Sequence, residues 1–310
     1  MKRLKLLLIC LSLANFQSIQ GFAIGFSGME QIDQDSYLVV LDKKVYEDGD
    51  RIGILKIQKE AEPIFSPLRI TDWKHDDGQA SDLESVCRIP ETDNEFLLAE
   101  AGYWEGKYGR IFHVVLSDGE ASVKNVFRIP KIVGSADGID GENFEGIVCF
   151  KNGESILVVL GERGGSSLYQ NGFLRIGLLN LSEPELSWNK YSSNPVEIAA
   201  PGNWNNTLSK RSISDLYLDK HGVIWAVATE DPGDEGPFKS TIYKAAVVSA
   251  ENKENPVVPI HTKKAYWTID GFKIEALAAP SNLIKGSYMS IGTEDELYNG
   301  AWRSLFYPVE

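Results

Sequence analysis

The chain has 310 residues, 43% of them hydrophobic and 24% charged, with a formal net charge of −13. That is enough chain for one large all-β domain or two smaller ones, at an ordinary globular composition. So acidic a protein is a poor partner for nucleic-acid polymers, whose phosphates would repel it, and it suits a divalent cation. The same charge also serves solubility alone.

Residues 1–23 read as a secretory leader. Lys2, Arg3 and Lys5 precede the apolar run Leu6 to Leu13, and Gly21 and Ala23 supply small residues near a cleavage zone. The run is too short to span a bilayer, and no other stretch is long enough. The expectation is a secreted or periplasmic monomer without a membrane span, folded as one domain over residues 24–310. Removing Lys2, Arg3 and Lys5 takes 31 basic side chains to 28 against 44 acidic ones, a charge of −16.

A four-residue phrase then recurs five times: apolar, Glu or Ser, any residue, apolar. The copies are Phe26-Ser27-Gly28-Met29, Leu83-Glu84-Ser85-Val86, Phe144-Glu145-Gly146-Ile147, Ile213-Ser214-Asp215-Leu216 and Ile274-Glu275-Ala276-Leu277. Their second positions are 57, 61, 69 and 61 residues apart. Each copy leads through a turn to an apolar run that ends in charge, as in Ile156 to Glu162. Third runs at 51–57, 110–116, 172–179 and 241–248, and fourth runs at 123–129, 195–199 and 264–269, predict small antiparallel sheets. No amphipathic helix of useful length is visible. Repeated sheets of this size predict an all-β propeller whose first strands line a central channel. Five phrases predict five blades; the alternative is a sixth within Leu181 to Ser209. The last copy stops soon after Trp302 to Tyr307, so an N-terminal segment is expected to complete its sheet and close the ring.

In a propeller the start of each inner strand and the end of each second strand share one face. That face gathers Ser27, Glu84, Glu145, Ser214 and Glu275 with the exits Asp42-Lys43-Lys44, Glu100, Glu162-Arg163, Glu230-Asp231 and Glu294-Asp295-Glu296. At about 5 Å and an effective dielectric near 20, each pair among the three inner glutamates would cost roughly 3 kcal/mol. Either protons are taken up or a cation sits between them. Carboxylate and hydroxyl oxygens suit Ca²⁺, and the absence of clustered His and Cys argues against zinc. The other reading makes the glutamates staples, hydrogen-bonded to backbone amides of neighbouring inner strands.

Other motifs are weaker. Asp137 to Asn143 resembles half a calcium loop without EF-hand spacing. Gly25-Phe26-Ser27-Gly28-Met29 stops short of a nucleophile elbow. Of four scattered histidines, His75 is the one near the charged face. Asp231 to Phe238 reads as a loop over that face. Cys87 and Cys149 stand three and four residues after their glutamates. Odd and even offsets face opposite sides of a strand, so two buried thiols are expected rather than a disulfide.

The series Ser27, Glu84, Glu145, Ser214, Glu275 at successive inner strands resembles the calcium-activated nucleotidases, five-bladed propellers with a central calcium ion. Asp82-Leu83-Glu84-Ser85 and Glu294-Asp295-Glu296 are also similar to the bacterial phytase-like, or esterase-like, propellers. The resemblance implies calcium held by Ser27, Glu84, Glu145, Ser214 and Glu275, and hydrolysis of phosphoesters or phosphoanhydrides. In that reading Arg163 and Lys43 steady a small anionic substrate, and Glu162 or Glu230 takes the proton. The competing class is a non-catalytic ligand- or protein-binding propeller with structural calcium. Basic groups at the channel mouth would favour the hydrolase, and a uniformly acidic mouth the binding module.

Overall fold

The computed structural model describes residues 24–104, 107–130, 143–165, 170–188, 195–249, 252, 254–261, 264–295 and 298–307. The expected leader and most of the half calcium loop lie outside the described residues.

Five antiparallel sheets follow one another along the chain. Blade one holds β1 (Gly28–Gln31), β2 (Ser36–Val40), β3 (Ile52–Lys56) and β4 (Ile64–Leu68). Blade two holds β5 (Leu83–Arg88) and β6 (Glu95–Glu100), then a small hairpin of β7 (Tyr103–Trp104) and β8 (Lys107–Tyr108), then β9 (Arg110–Ser117) and β10 (Glu120–Arg128). Blade three holds β11 (Phe144–Asn152), β12 (Ser155–Glu162), β13 (Gly172–Asn180), β14 (Glu185–Ser187) and β15 (Val196–Ile198). Blade four holds β16 (Lys210–Leu218), β17 (Val223–Glu230), β18 (Lys239–Val248), β19 (Val257–Pro259) and β20 (Ala265–Asp270). Blade five holds β21 (Ile274–Ala278), β22 (Ser287–Thr293) and β23 (Trp302–Phe306).

There are five blades. The stretch that offered room for a sixth supplies β14 and β15 instead, which pair with opposite ends of β13 and divide the outer position between them. Blade five has three strands among the described residues. The chain enters beside it, where the Phe26 amide donates to the Thr293 carbonyl at 3.1 Å. The ring closes through the inner strands: β1, β5, β11, β16 and β21 touch in that order, and β21 returns to β1.

Five hydrophobic cores fill the five interfaces between blades. On β12, Val158 and Leu160 pack toward blade two while Leu157 and Val159 pack toward blade four. A strand buried on both faces has no polar side to show, so these strands read as unbroken apolar runs.

The repeated phrase has a structural cause. Its two apolar residues are three apart, and in a regular strand they would face opposite sides. Here both enter the same core: Phe26 with Met29, Leu83 with Val86, Phe144 with Ile147, Ile213 with Leu216, and Ile274 with Leu277. The register breaks between Leu83 and Ser85, between Phe144 and Gly146, and between Ile274 and Ala276, so each glutamate is the extra residue of a β-bulge. A wider break spans Arg211 to Asp215 in blade four. A bulge turns one side chain out of the alternation, and here it sends each glutamate to the channel rather than to a blade face.

Neighbouring inner strands approach at backbone distance after the bulge. A Cβ on Gly146 would stand 2.7 Å from the Leu216 nitrogen, and one on Gly28 2.8 Å from the Ser85 Cα. Neither neighbour is a flexible side-chain end, so the ring itself would have to give. Gly146→Ala is expected to cost about 1–3 kcal/mol, the usual penalty of overpacking. Urea denaturation checks this; an unchanged midpoint would show that the blades spread without cost.

Candidate functional site at the channel mouth

A cavity of about 230 Å³ opens where the inner strands begin, lined by residues of all five blades. Six lining side chains are carboxyls (Asp42, Asp82, Glu84, Glu145, Glu275, Glu294) and four are basic (Lys44, Arg163, Arg211, Lys273). The mouth is therefore mixed in charge.

The bases are interleaved with the acids. Arg163 Nη1 lies 3.2 Å from Glu145 Oε1. Arg211 reaches Asp231 at 2.7 Å and Glu275 at 3.4 Å. Lys273 Nζ lies 3.1 Å from Glu275 and 3.4 Å from Glu294, and Lys44 pairs with Asp82. Burial alone would lower the Arg211 guanidinium, but Glu145, Glu275, Asp231 and Glu84 outweigh it and hold it charged. Arg211 thus supplies positive charge among the three glutamates.

Glu84 differs from its neighbours. No ion pair or hydrogen bond to its carboxyl is present among the described residues. Burial first, then Glu145, Glu275, Asp42 and Glu294, raise it well above the ordinary carboxylate range. Glu294 is raised in the same way, by burial and then by Glu275.

The structure brings Glu84, Glu145 and Glu275 together, with Arg163 beside them. Ser27 and Ser214 occupy the equivalent places in blades one and four, buried, and neither hydroxyl has a hydrogen-bond partner among the described residues. Lys43 is not at the cavity wall; its neighbour Lys44 is. Glu162 and Glu230 do not reach the mouth either. Glu162 is buried within blade three, 2.7 Å from Arg175 Nε. Glu230 accepts the backbone amides of Asn205 and Asn206 at 2.9 and 2.8 Å. In each case the second strand ends by turning its carboxylate into its own blade. His75 lies near Arg110 and Asp77 on a separate concavity of about 740 Å³ beside blade one, where no repeat glutamate is found.

Sequence reasoning missed Arg211 and Lys273. The signal stood two or three residues before the repeat position, where Asp82, Asn143, Arg211 and Lys273 all reach the cavity. It also missed Asp215. The staple proposed for the glutamates is made by that residue: the Leu277 amide donates to Asp215 Oδ2 at 2.6 Å, tying β16 to β21. Burial raises the Asp215 carboxyl well above its usual range, against the pull of the Leu277 and Leu216 amides.

The implied calcium fits this residue set only in part. The partnerless hydroxyls and Glu84 suit a cation, but Glu145 and Glu275 already face Arg163, Arg211 and Lys273. Among the described residues, no group of three or more His, Cys, Asp or Glu side chains is arranged to hold a metal ion.

No protein-family model matches the chain, and no curated protein matches it. Solved structures do resemble it in fold. A GH43 β-1,3-galactosidase with galactodeoxynojirimycin is 9% identical, at a TM-score of 0.50 over 91% of this chain and 90% of its own. An exo-1,5-α-L-arabinanase from a bovine ruminal metagenomic library is 9% identical, at a TM-score of 0.47 over 91% and 92%. A Bombyx mori GH32 β-fructofuranosidase is 12% identical, at 0.45, over 91% of this chain and 60% of its own. At such identities the likeness shows the fold alone. The closed ring of five sheets makes this protein a five-bladed β-propeller. The structures named are glycoside hydrolases, not nucleotidases or phytase-like proteins.

Proposed function

We propose that the channel mouth hydrolyses a small phosphoester or phosphoanhydride by acid–base catalysis. The observation that carries this reading is the Glu84 carboxyl, without an ion pair or hydrogen bond among the described residues, in one cavity with Glu145, which is paired with Arg163. Burial, and then the neighbouring carboxyls, raise Glu84, which suits it to giving a proton. Water attacks phosphorus as Glu145 takes its proton, and Glu84 gives its proton to the leaving oxygen. Arg163, Arg211 and Lys273 exchange carboxylate partners for phosphoryl oxygens and stabilise the charge that develops there. The cavity, of about 230 Å³, limits the substrate to a small group or the end of a larger one.

The test is phosphate release from p-nitrophenyl phosphate, nucleoside diphosphates and phytate, each with calcium and with chelator. Turnover is expected with at least one of them and is expected to survive the chelator. No release from any of the three would overturn the reading.

A second reading rests on Ser27 and Ser214, buried hydroxyls without hydrogen-bond partners among the described residues. With Glu84 they would hold a divalent cation that locks the blades of a binding module. It requires calcium to raise the melting temperature, since an ion bound only to the native state stabilises it by about 2.7 kcal/mol at a hundredfold excess over Kd. Melting curves unchanged between calcium and chelator would remove it.

A further inference from the structure

Cys87 and Cys149 are both buried, and both are free thiols in this structure. Their sulfurs stand 2.8 Å apart, and Cys149 Sγ also lies 2.8 Å from the Arg88 carbonyl oxygen. Non-bonded sulfur atoms do not rest so close together. A disulfide needs about 2.05 Å, so closure is a movement of less than about 1 Å.

The ring explains the juxtaposition. After the bulge, Cys87 faces blade three and Cys149 faces blade two, and both belong to the core between those blades. Consecutive blades pack front to back, so the opposite parity that argued against a cross-link is what brings the thiols together. The parity rule holds within one sheet; these residues lie on two. A second cavity, of about 160 Å³, has Cys87, Cys149, Glu30 and Tyr217 among its lining residues.

We propose that Cys87 and Cys149 form an intramolecular disulfide that clamps blade two to blade three beside the channel. As the S–S bond forms, the two thiols give up two protons and two electrons. A disulfide-bearing oxidant such as oxidised glutathione accepts them, its own S–S bond breaking to two thiols. Burial, and then Cys149, hold the native Cys87 thiol well above its usual range, which makes it a poor nucleophile once folded. The bond therefore closes while the chain folds and is slow to exchange afterwards. It joins positions 62 residues apart, a long loop whose closure restricts the unfolded chain.

The experiment refolds the full chain in a glutathione redox buffer, then denatures it without reductant and alkylates it. Before alkylation the expected product is about 2 Da lighter than the reduced chain, because two hydrogens are lost. It resists alkylation at Cys87 and Cys149, and its digest contains one cross-linked pair of peptides bearing them. Reduction of that product is expected to lower the melting temperature by about 5–15 °C. Full alkylation of both residues, a cross-link through Cys10 or to a second molecule, or a melting temperature unmoved by reduction would each overturn the proposal.

Discussion

Glu84→Gln is expected to lower phosphate release by about 10²–10⁴-fold, the range a positioned general acid contributes. Glutamine keeps the shape and neutrality of the protonated acid but has no proton to give. The substitution also carries its own control for folding. In the wild type the carboxyl is raised well above the ordinary range by burial and by Glu145, Glu275, Asp42 and Glu294. Its contribution to stability is full below the ordinary carboxylate range and is lost as pH rises through the folded value. The amide of the variant has nothing to ionise, so the variant should match the wild type in acid and exceed it in base. The wild-type rate should likewise fall on the alkaline side as the acid is lost, a limb missing from the variant's residual activity. Loss of activity together with lower stability at every pH would instead mark Glu84 as a structural residue.

Arg110→Ala should be the most damaging single change to the fold. Arg110 and Glu100 are wholly buried side chains, and Arg110 Nη2 lies 2.6 Å from Glu100 Oε1. The carboxylate also accepts the Ser81 and Arg110 amides at 2.9 and 2.8 Å. The guanidinium donates to the Gly78 and Gln79 carbonyls, each at 3.0 Å, fixing the chain just before β5. Burial raises the Glu100 carboxyl even so, against the opposing pull of Arg110 and the two amides. Removing one member of a buried pair costs about 3–5 kcal/mol, because the other charge is left without a partner. For a domain of this size that is a fall of about 6–20 °C in melting temperature. Glu100→Gln keeps part of the hydrogen bonding and should cost less. A loss below about 1 kcal/mol for Arg110→Ala would mean that solvent replaces the pair.

The acidic exits show why half of the site was legible. From the sequence, Glu100, Glu162, Glu230 and Glu294 look alike, each near the end of a second strand. Glu294 faces the channel, whereas Glu100 and Glu162 meet arginines from the third strand of their own blade. Arg110 and Arg175 lie 10 and 13 residues further along the chain. Only the lateral pairing of strands shows that these positions meet.

The sequence by itself determined the five-fold repeat, the all-β class and the convergence of Glu84, Glu145 and Glu275. It could do so because the phrase carries its own geometry: a bulge at the residue after the first apolar one lets two apolar residues three apart share a core. Tertiary structure decided the rest, since the remaining partners come from different blades. Arg211 reaches Glu275 from blade four, Asp215 binds the Leu277 amide, and Cys87 meets Cys149 across an interface where consecutive blades stack front to back. Side-chain alternation specifies which face of a strand a residue occupies. Which neighbour waits on that face is set by how the ring closes, and no periodicity within a single blade encodes it.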